Sequence, residues 1–526
     1  MKNIAKLFTL ASFTIASHFF LLPATAADSQ GEAEALHVLN RLGYGPRPGD
    51  IDRVMKIGVD KYIEQQLNPQ FIPLPDSLTA KLKSLEVSSQ SAGSVLFDYQ
   101  KALKDTRDES DASQKKRREL VGRIVEETAE ARLYRALQSP RQLEEVMVDF
   151  WFNHFNVYSA KGLDRALVAS YERDAIRPYV FGNFRDLLGA TAKHPAMLFY
   201  LDNWLSTSAN FQPSGRGGKL QGAKAKANGL NENYAREVME LHTLGVDGGY
   251  TQRDVTELAR MLTGWTFDPR AMVRNNQNFH FDAERHDKGS KTWLGKTIAP
   301  SGQAEAEYAL DVLATHPSTA HHLSYKLAQY FVQDNPPPAL VDRLAKRYLE
   351  TRGDIRSVLQ TLFSSPEFRD PGSIAAKYKT PYQFVISALR ASDIQVKNIR
   401  PALGAMAQLG MPLYGSQTPD GYKNTQDAWL NPDALTRRIN FATALATGRL
   451  AFDKVIDEGD KMGKKQLLKQ ADDKPERAAV MDALDANALM QTLGPGISKR
   501  TRDLISGNQP ALRASLVLGS PDFMQH

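Results

Sequence analysis

Cysteine is absent from all 526 residues. That excludes disulfides, thiolate metal sites, a cysteine nucleophile and covalent c-type haem attachment. Long apolar runs are missing as well. A bilayer span needs about 20 strongly apolar residues, and the nearest approach, Leu7 to Leu22, is shorter and diluted by Thr9, Ser12, Thr14, Ser17 and His18. An integral membrane protein is therefore not expected. Charge of one sign is scarce too, with 66 Lys+Arg against 60 Asp+Glu and a net charge of +6. No dense basic tract with interleaved aromatics occurs, so nucleic acid is not an expected partner. Neither an H-E-x-x-H, an EF-hand nor a P-loop pattern is present, and no nucleotide or flavin signature.

What is there begins with an export signal. Lys2 and Lys6 precede the short apolar core, and Ala24-Thr25-Ala26 follows it as a small-x-small site. The pattern predicts cleavage after Ala26, with residues 1–26 removed and Ala27 first in the mature chain. No cysteine follows for lipid attachment and no Arg-Arg pair precedes, so the general secretory route is expected. The destination is periplasmic or extracellular, and stability there must come from packing.

Helical periodicity dominates and alternating strand patterns are few, which predicts an all-α chain of one large unit, or two lobes meeting near Gln212–Gly229. Leu143, Val146, Met147, Phe150, Trp151 and His154 recur at spacings of three and four, behind a Ser139-Pro140 start. Thr251 and Asp254 open a helix through Val255, Leu258, Ala259 and Leu262 that Gly264 ends. Further helices are expected over Ala33–Leu42, Ser318–Val332, Ala339–Glu350, Ile355–Phe363, Pro381–Ser392 and Asn431–Ala446. Ser365-Pro366-Glu367-Phe368 and Ser520-Pro521-Asp522-Phe523 echo one another as capped turns. Three segments read as loop insertions: 105–116, 212–229 and 457–476. The second holds five glycines beside Arg216, Lys219, Lys224 and Lys226. It is either a solvated linker or a flap over an anionic ligand.

Two polar clusters carry candidate chemistry. Along Asn231–His242 taken as a helix, Glu232, Asn233, Arg236, Glu237 and Glu240 share one arc, opposite Tyr234, Ala235, Val238, Leu241 and His242. This is a surface face laced by i,i+4 pairs, or else a site with Glu237 or Glu240 as general base and Asn231, Glu232, Asn233 and Arg236 as binding groups. The second cluster is His280-Phe281-Asp282, then His286-Asp287 and Lys291. Imidazole and carboxylate are the ligands left for a divalent metal when thiolates are absent. His280, Asp282 and His286, with His154 and His242, form the candidate metal set. His154 and His242 equally suit a packed core, and Asn153 and Asn156 read as local caps.

These same residues make the chain resemble the bacterial family catalogued as domain of unknown function family 1800. The matches are His37–Gly45, Phe150-Trp151-Phe152-Asn153-His154-Phe155, Gly182–Leu188, Pro195–Asp202, Asn231–Gly249 and Leu262-Thr263-Gly264-Trp265. Later ones are His286-Asp287, Lys326-Leu327, Ser365–Phe368 and Lys377–Phe384. Two departures stand out: the basic insertion before Asn231, and Tyr422–Asp427 where the family usually reads Gly-Trp-Pro. The resemblance implies an exported, helix-rich protein, often encoded beside an exported protein of the alkaline-phosphatase/sulfatase class, and it transfers no catalytic residues.

Two functions are therefore expected to compete. One is an envelope or extracellular metal-assisted hydrolase with an anionic envelope substrate. The other is a non-catalytic assembly, binding or chaperone-like partner of an exported enzyme or surface polymer, with the polar helix as its docking face. The sharpest expectation is that Glu237, His242, His280, Asp282 and His286 converge on one site.

Overall fold

The computed structural model describes residues 24–104, 111–212, 229–454 and 480–526. Helix accounts for 64% of the chain, and the strands form two small antiparallel ribbons, so the fold is all-α. No helix among the described residues is long and apolar enough to cross a membrane. The export signal, the Gly-rich insertion at 213–228 and the 457–476 insertion lie outside the described residues, apart from Ala24-Thr25-Ala26, which begins the first helix.

The helices that build the site and its surroundings are α1 (Ala24–Arg41), α2 (Asp111–Gln138), α3 (Gln142–His154), α4 (Asp164–Ser170), α5 (Asn233–Glu240), α6 (Gln252–Leu262), α7 (Gln303–Ala314), α8 (Pro317–Phe331) and α9 (Arg400–Gln408). The ribbons pair β1 (Trp265–Thr266) with β2 (His280–Phe281), and β3 (Lys291–Trp293) with β4 (Lys296–Ile298).

Local chemistry explains most boundaries. Thr251 and Asp254 form a reciprocal capping box at the start of α6, satisfying amides that a helix N-terminus otherwise leaves unpaired. Ser365 and Ser520 each accept the amide of a Phe three residues on, both at 3.2 Å, so the two echoing turns are built alike. Two boundaries differ from expectation. α2 already begins at Asp111, inside the stretch read as an insertion over 105–116. α3 begins at Gln142 rather than at Ser139-Pro140, and the Ser139 hydroxyl caps the turn before it by accepting from the Arg141 amide at 3.1 Å.

Buried apolar side chains form one continuous cluster from Ala35 to Met524. Helix α3 runs through it and is buried nearly all round, with Phe150, Trp151 and Phe152 each at most 5% exposed. Beside it lies an ion network that no local pattern announces. The chain after α4 winds into a π-helical turn, Tyr171–Ile176, a form common at sites under special constraint. The turn delivers Glu172 between Arg132 of α2 (3.0 Å) and Arg177 (3.0 Å), with the Tyr414 hydroxyl donating to it at 2.7 Å. Arg177 also clasps Glu145 with two bonds of 2.8 and 3.0 Å, and Arg132 reaches Asp149. Against the cost of burial, Arg132 and Arg177 hold the Glu172 carboxyl down to about 2.

The chain end is part of the same interior. His526 and Lys377 exchange backbone hydrogen bonds of 2.9 and 3.2 Å, and Nδ1 of His526 lies 3.2 Å from the carbonyl of Asn40 in α1.

Candidate functional site

Helix α5 is shorter than the polar run suggests. It spans Asn233–Glu240; Asn231 stands before it and accepts the Asn233 amide at 2.8 Å. The Asn231 side chain also donates to the Asp202 carbonyl at 3.1 Å, so its role is to seat the helix start. Asn233 itself is exposed. The expected polar face is divided in two. Glu232 accepts from Thr256 and Gln252 of α6, both at 2.7 Å, and Arg236 donates to Gln252 at 2.8 Å. That half staples α5 to α6. Glu237 and Glu240 are both partly buried, and the Tyr250 hydroxyl lies 3.4 Å from Glu240.

At the C-terminus of α5 the chain meets two other helices. Terminal helix carbonyls lack intrahelical donors, and here the residues just beyond the helix find imidazoles. Nε2 of His154, from the end of α3, lies 3.1 Å from the His242 carbonyl, and Nε2 of His322, from α8, lies 3.4 Å from the Leu241 carbonyl. The Lys326 ammonium, one turn along α8, stands 2.9 Å from Nδ1 of His154. An ammonium has no lone pair, so Nδ1 accepts and Nε2 carries the ring proton that goes to the His242 carbonyl. The contacts therefore specify one neutral tautomer of His154. Its ring centroid lies 6.1 Å from that of His242 and 6.4 Å from that of His322.

A loop distant in sequence closes the site. Asn153 and Asn156, expected as local caps, instead reach across the fold. Asn153 exchanges bonds with the Tyr422 backbone (2.6 and 2.7 Å), and Asn156 donates to the Ser416 and Thr418 carbonyls (3.1 and 2.9 Å). Between them Gly421 adopts φ +70, where a Cβ would fall 2.3 Å from the Asn153 carbonyl. Only glycine fits there. The tether brings Asp420 and Lys423 into the electrostatic surroundings of Lys326, and Asp420 into those of Glu237.

The grouped charges shift one another. Burial, then the neighbouring Glu240, pushes the Glu237 carboxyl up to about 7; Arg236 opposes the rise and Asp420 adds to it. Burial and the Lys423 cation bring Lys326 down to about 8, against the pull of Asp420. Burial and Lys326 keep His154 well below its ordinary range, His242 at about 3 and His322 at about 4. All three rings are thus neutral at pH 7. The site presents a carboxyl and an ammonium that each change charge near neutrality, which is the requirement for general acid–base work.

The second polar cluster is held in internal contacts. His286 is buried, with Nδ1 2.9 Å from the Thr263 carbonyl and Nε2 3.3 Å from Glu305. Glu305 accepts the Ser301 and Gly302 amides (2.9 and 3.2 Å) at the start of α7 and forms a fully buried ion pair of 2.6 Å with Lys291. Asp282 turns back onto the Glu284 and Arg285 amides (3.0 and 3.3 Å), and His280 pairs with Thr266 in the β1–β2 ribbon. Among the described residues, no three His, Asp or Glu side chains are disposed to hold a metal ion. Glu237, His242, His280, Asp282 and His286 thus supply no metal-holding group among the described residues, and Lys291 is buried as the partner of Glu305. His154 and His242 meet directly, through the His154 ring and the His242 carbonyl; Lys326, which joins them at His154, was not marked as chemical by local patterning, and Asp420, His322 and Lys423 were missed outright.

The family described as "Protein of unknown function (DUF1800)" matches residues 37–525. The chain belongs to this family. DUF1800 membership covers every element of the site, from His154 to Lys423. No curated protein and no solved structure matches the chain.

Proposed function

We propose that this DUF1800 protein is an exported hydrolase whose general base is Glu237 and whose general acid is Lys326. The observation that carries the reading is that a carboxyl raised to about 7 and an amine lowered to about 8 both lie in the electrostatic surroundings of Asp420. Ionised Glu237 would take a proton from a water molecule as its oxygen attacks an electrophilic carbon. The Lys326 ammonium would give its proton to the leaving group, so that both products depart neutral at the bond broken. Solvent then returns a proton to Lys326 and removes one from Glu237. His154 orients Lys326 through Nδ1 and is a positioning residue. These steps are assigned to the chain's own side chains.

Export rests on the Lys2/Lys6 region, the short apolar core and Ala24-Thr25-Ala26. An exported phosphatase- or sulfatase-class protein remains the proposed functional neighbour, on the family resemblance alone.

The test is a screen of the purified mature protein against chromogenic esters, amides and glycosides, with Glu237→Gln and Lys326→Met in parallel. Turnover by the wild type, lost at least a hundredfold in both variants, supports the proposal. Turnover retained in both, or none in the folded wild type on any class, overturns it and favours the docking role.

A further inference from the structure

A cleft of about 1010 Å³, not lined by Glu237, opens between α2 on one side and α4, α9 and the chain around Ser159 on the other. Its charge is lopsided. Among the described residues, Arg117 and Arg118 of α2, Arg165 of α4 and Arg400 of α9 all line it, against the single carboxylate of Glu126. Arg400 is held by Glu126 through two bonds of 2.7 and 2.8 Å, which fixes one wall. Arg117, Arg118 and Arg165 form no ion pair or side-chain hydrogen bond among the described residues. The floor is apolar: Val121, Leu403 and Val125, the last 47% exposed.

A second, independent observation lies on the same floor. Gly122 sits in the interior of the 28-residue helix α2, where glycine is less stable than alanine. Packing does not require it, because nothing lies within 4 Å of where its Cβ would stand. A bare backbone facing an open cleft allows a ligand to approach closely.

We propose that this cleft binds an acidic glycan, its carboxylate or sulfate groups taken by Arg117, Arg118 and Arg165 and its ring faces laid over Gly122 and Val125. Arginine's planar fork matches such oxyanions with paired hydrogen bonds. The volume lies at the top of the range of small-molecule pockets, which leaves room for several sugar rings. Single-stranded nucleic acid fits less well, because the one aromatic lining residue, Tyr99, is buried and offers bases no stacking platform. The choice of glycan over acidic peptide rests on the exported location proposed above, whereas the binding itself does not depend on it or on the Glu237 chemistry.

Isothermal titration calorimetry of the mature protein at 0.15 M salt tests this with a sulfated heparin hexasaccharide and a carboxylated hexagalacturonate, which separate the two anion types. Oligo-dT of 20 nucleotides and hexaglutamate are the comparison ligands. Saturable one-site binding of at least one glycan is expected, tighter than either comparison ligand and unchanged in Glu237→Gln. Arg117→Ala/Arg118→Ala/Arg165→Ala should weaken it at least tenfold. Gly122→Leu should do the same with a melting temperature equal to or above wild type, a combination that a structural role would not produce. Absence of glycan binding by the wild type, equal or tighter binding of either comparison ligand, or full binding by Gly122→Leu overturns the proposal.

Discussion

The Lys326 ammonium lies 2.9 Å from Nδ1 of His154, and that contact fixes which ring nitrogen of His154 carries its proton. It also places a partly buried cation against a ring that burial keeps neutral, so the lysine loses part of its hydration without gaining a direct carboxylate partner among the described residues. The amine therefore loses its proton near pH 8, within reach of a physiological swing.

Activity should follow a narrow bell in pH. The base must be ionised, giving an acid limb near 7, and the acid must be protonated, giving an alkaline limb near 8. The pH dependence of kcat/KM measures both limbs. An optimum below 6 or above 9 would contradict the assignment.

Glu237 should carry a stability cost that its removal relieves. Its folded carboxyl is raised from 4.5 to about 7, so its favourable contribution is complete below pH 4.5 and is lost as pH rises through 7. Glu237→Gln should be more stable than wild type at pH 8 by about 1 kcal/mol, after allowance for solvent screening. Urea unfolding at pH 5 and pH 8 reads this, and the difference should shrink at pH 5.

Lys326 should act in the opposite direction on the alkaline side. Its folded value lies below the ordinary 10.5 at about 8, so the unfolded chain holds more protons between those two values and stability rises with pH across that window. Lys326→Met removes this rise. Denaturant midpoints for both proteins at pH 8 and 10 provide the comparison.

The Glu305–Lys291 pair should be indispensable to the region around β3 although it has no chemical task. Lys291→Met leaves Glu305 buried with its charge uncompensated, a change that costs about 3 kcal/mol or more. His280→Ala/His286→Ala should likewise lower the melting temperature while leaving turnover and metal content as in wild type. A fall in bound metal in that double variant would restore the metal reading of the loop.

Acid should undo the π-helical turn. Glu172 is held down to about 2, so its contribution is fully present above pH 4.5 and is lost as pH falls toward 2. Glu172→Gln should unfold more readily at pH 7 by about 3 kcal/mol, since Arg132 and Arg177 lose a shared buried partner. The gap between variant and wild type should narrow at pH 2.5.

Much of the fold was readable because helix signals are local. The Thr251/Asp254 box, the spacing along α3 and the Ser-Pro turns each lie within a few residues, and the observed ends of α6 and α8 fall within one residue of expectation. The site was readable only in pieces. Glu237, His154 and His242 could be singled out as chemistry-bearing, yet what joins them is long-range: Lys326 meets His154 across 172 residues, and Asn153 meets Tyr422 across 269. No periodicity reports such pairings. The loop residues are ambiguous for a related reason, since His286 and Asp282 read the same in sequence whether they serve a metal or satisfy Thr263 and nearby amides.

The meeting of Asn40 with His526, 486 residues apart, sets a clock on the fold. Under the export proposed above, the chain would be threaded through a membrane from its N-terminus and would present α1 long before the residues that seal it emerge. Contacts of such separation form slowly because the intervening loop must first be closed. Until the last residues arrive, the backbone edge at Lys377 stands open and the apolar face of α1 lacks its lid. Such a nascent protein would depend on holding chaperones at the far side of the membrane, and its yield should fall when they are depleted long before its finished stability changes.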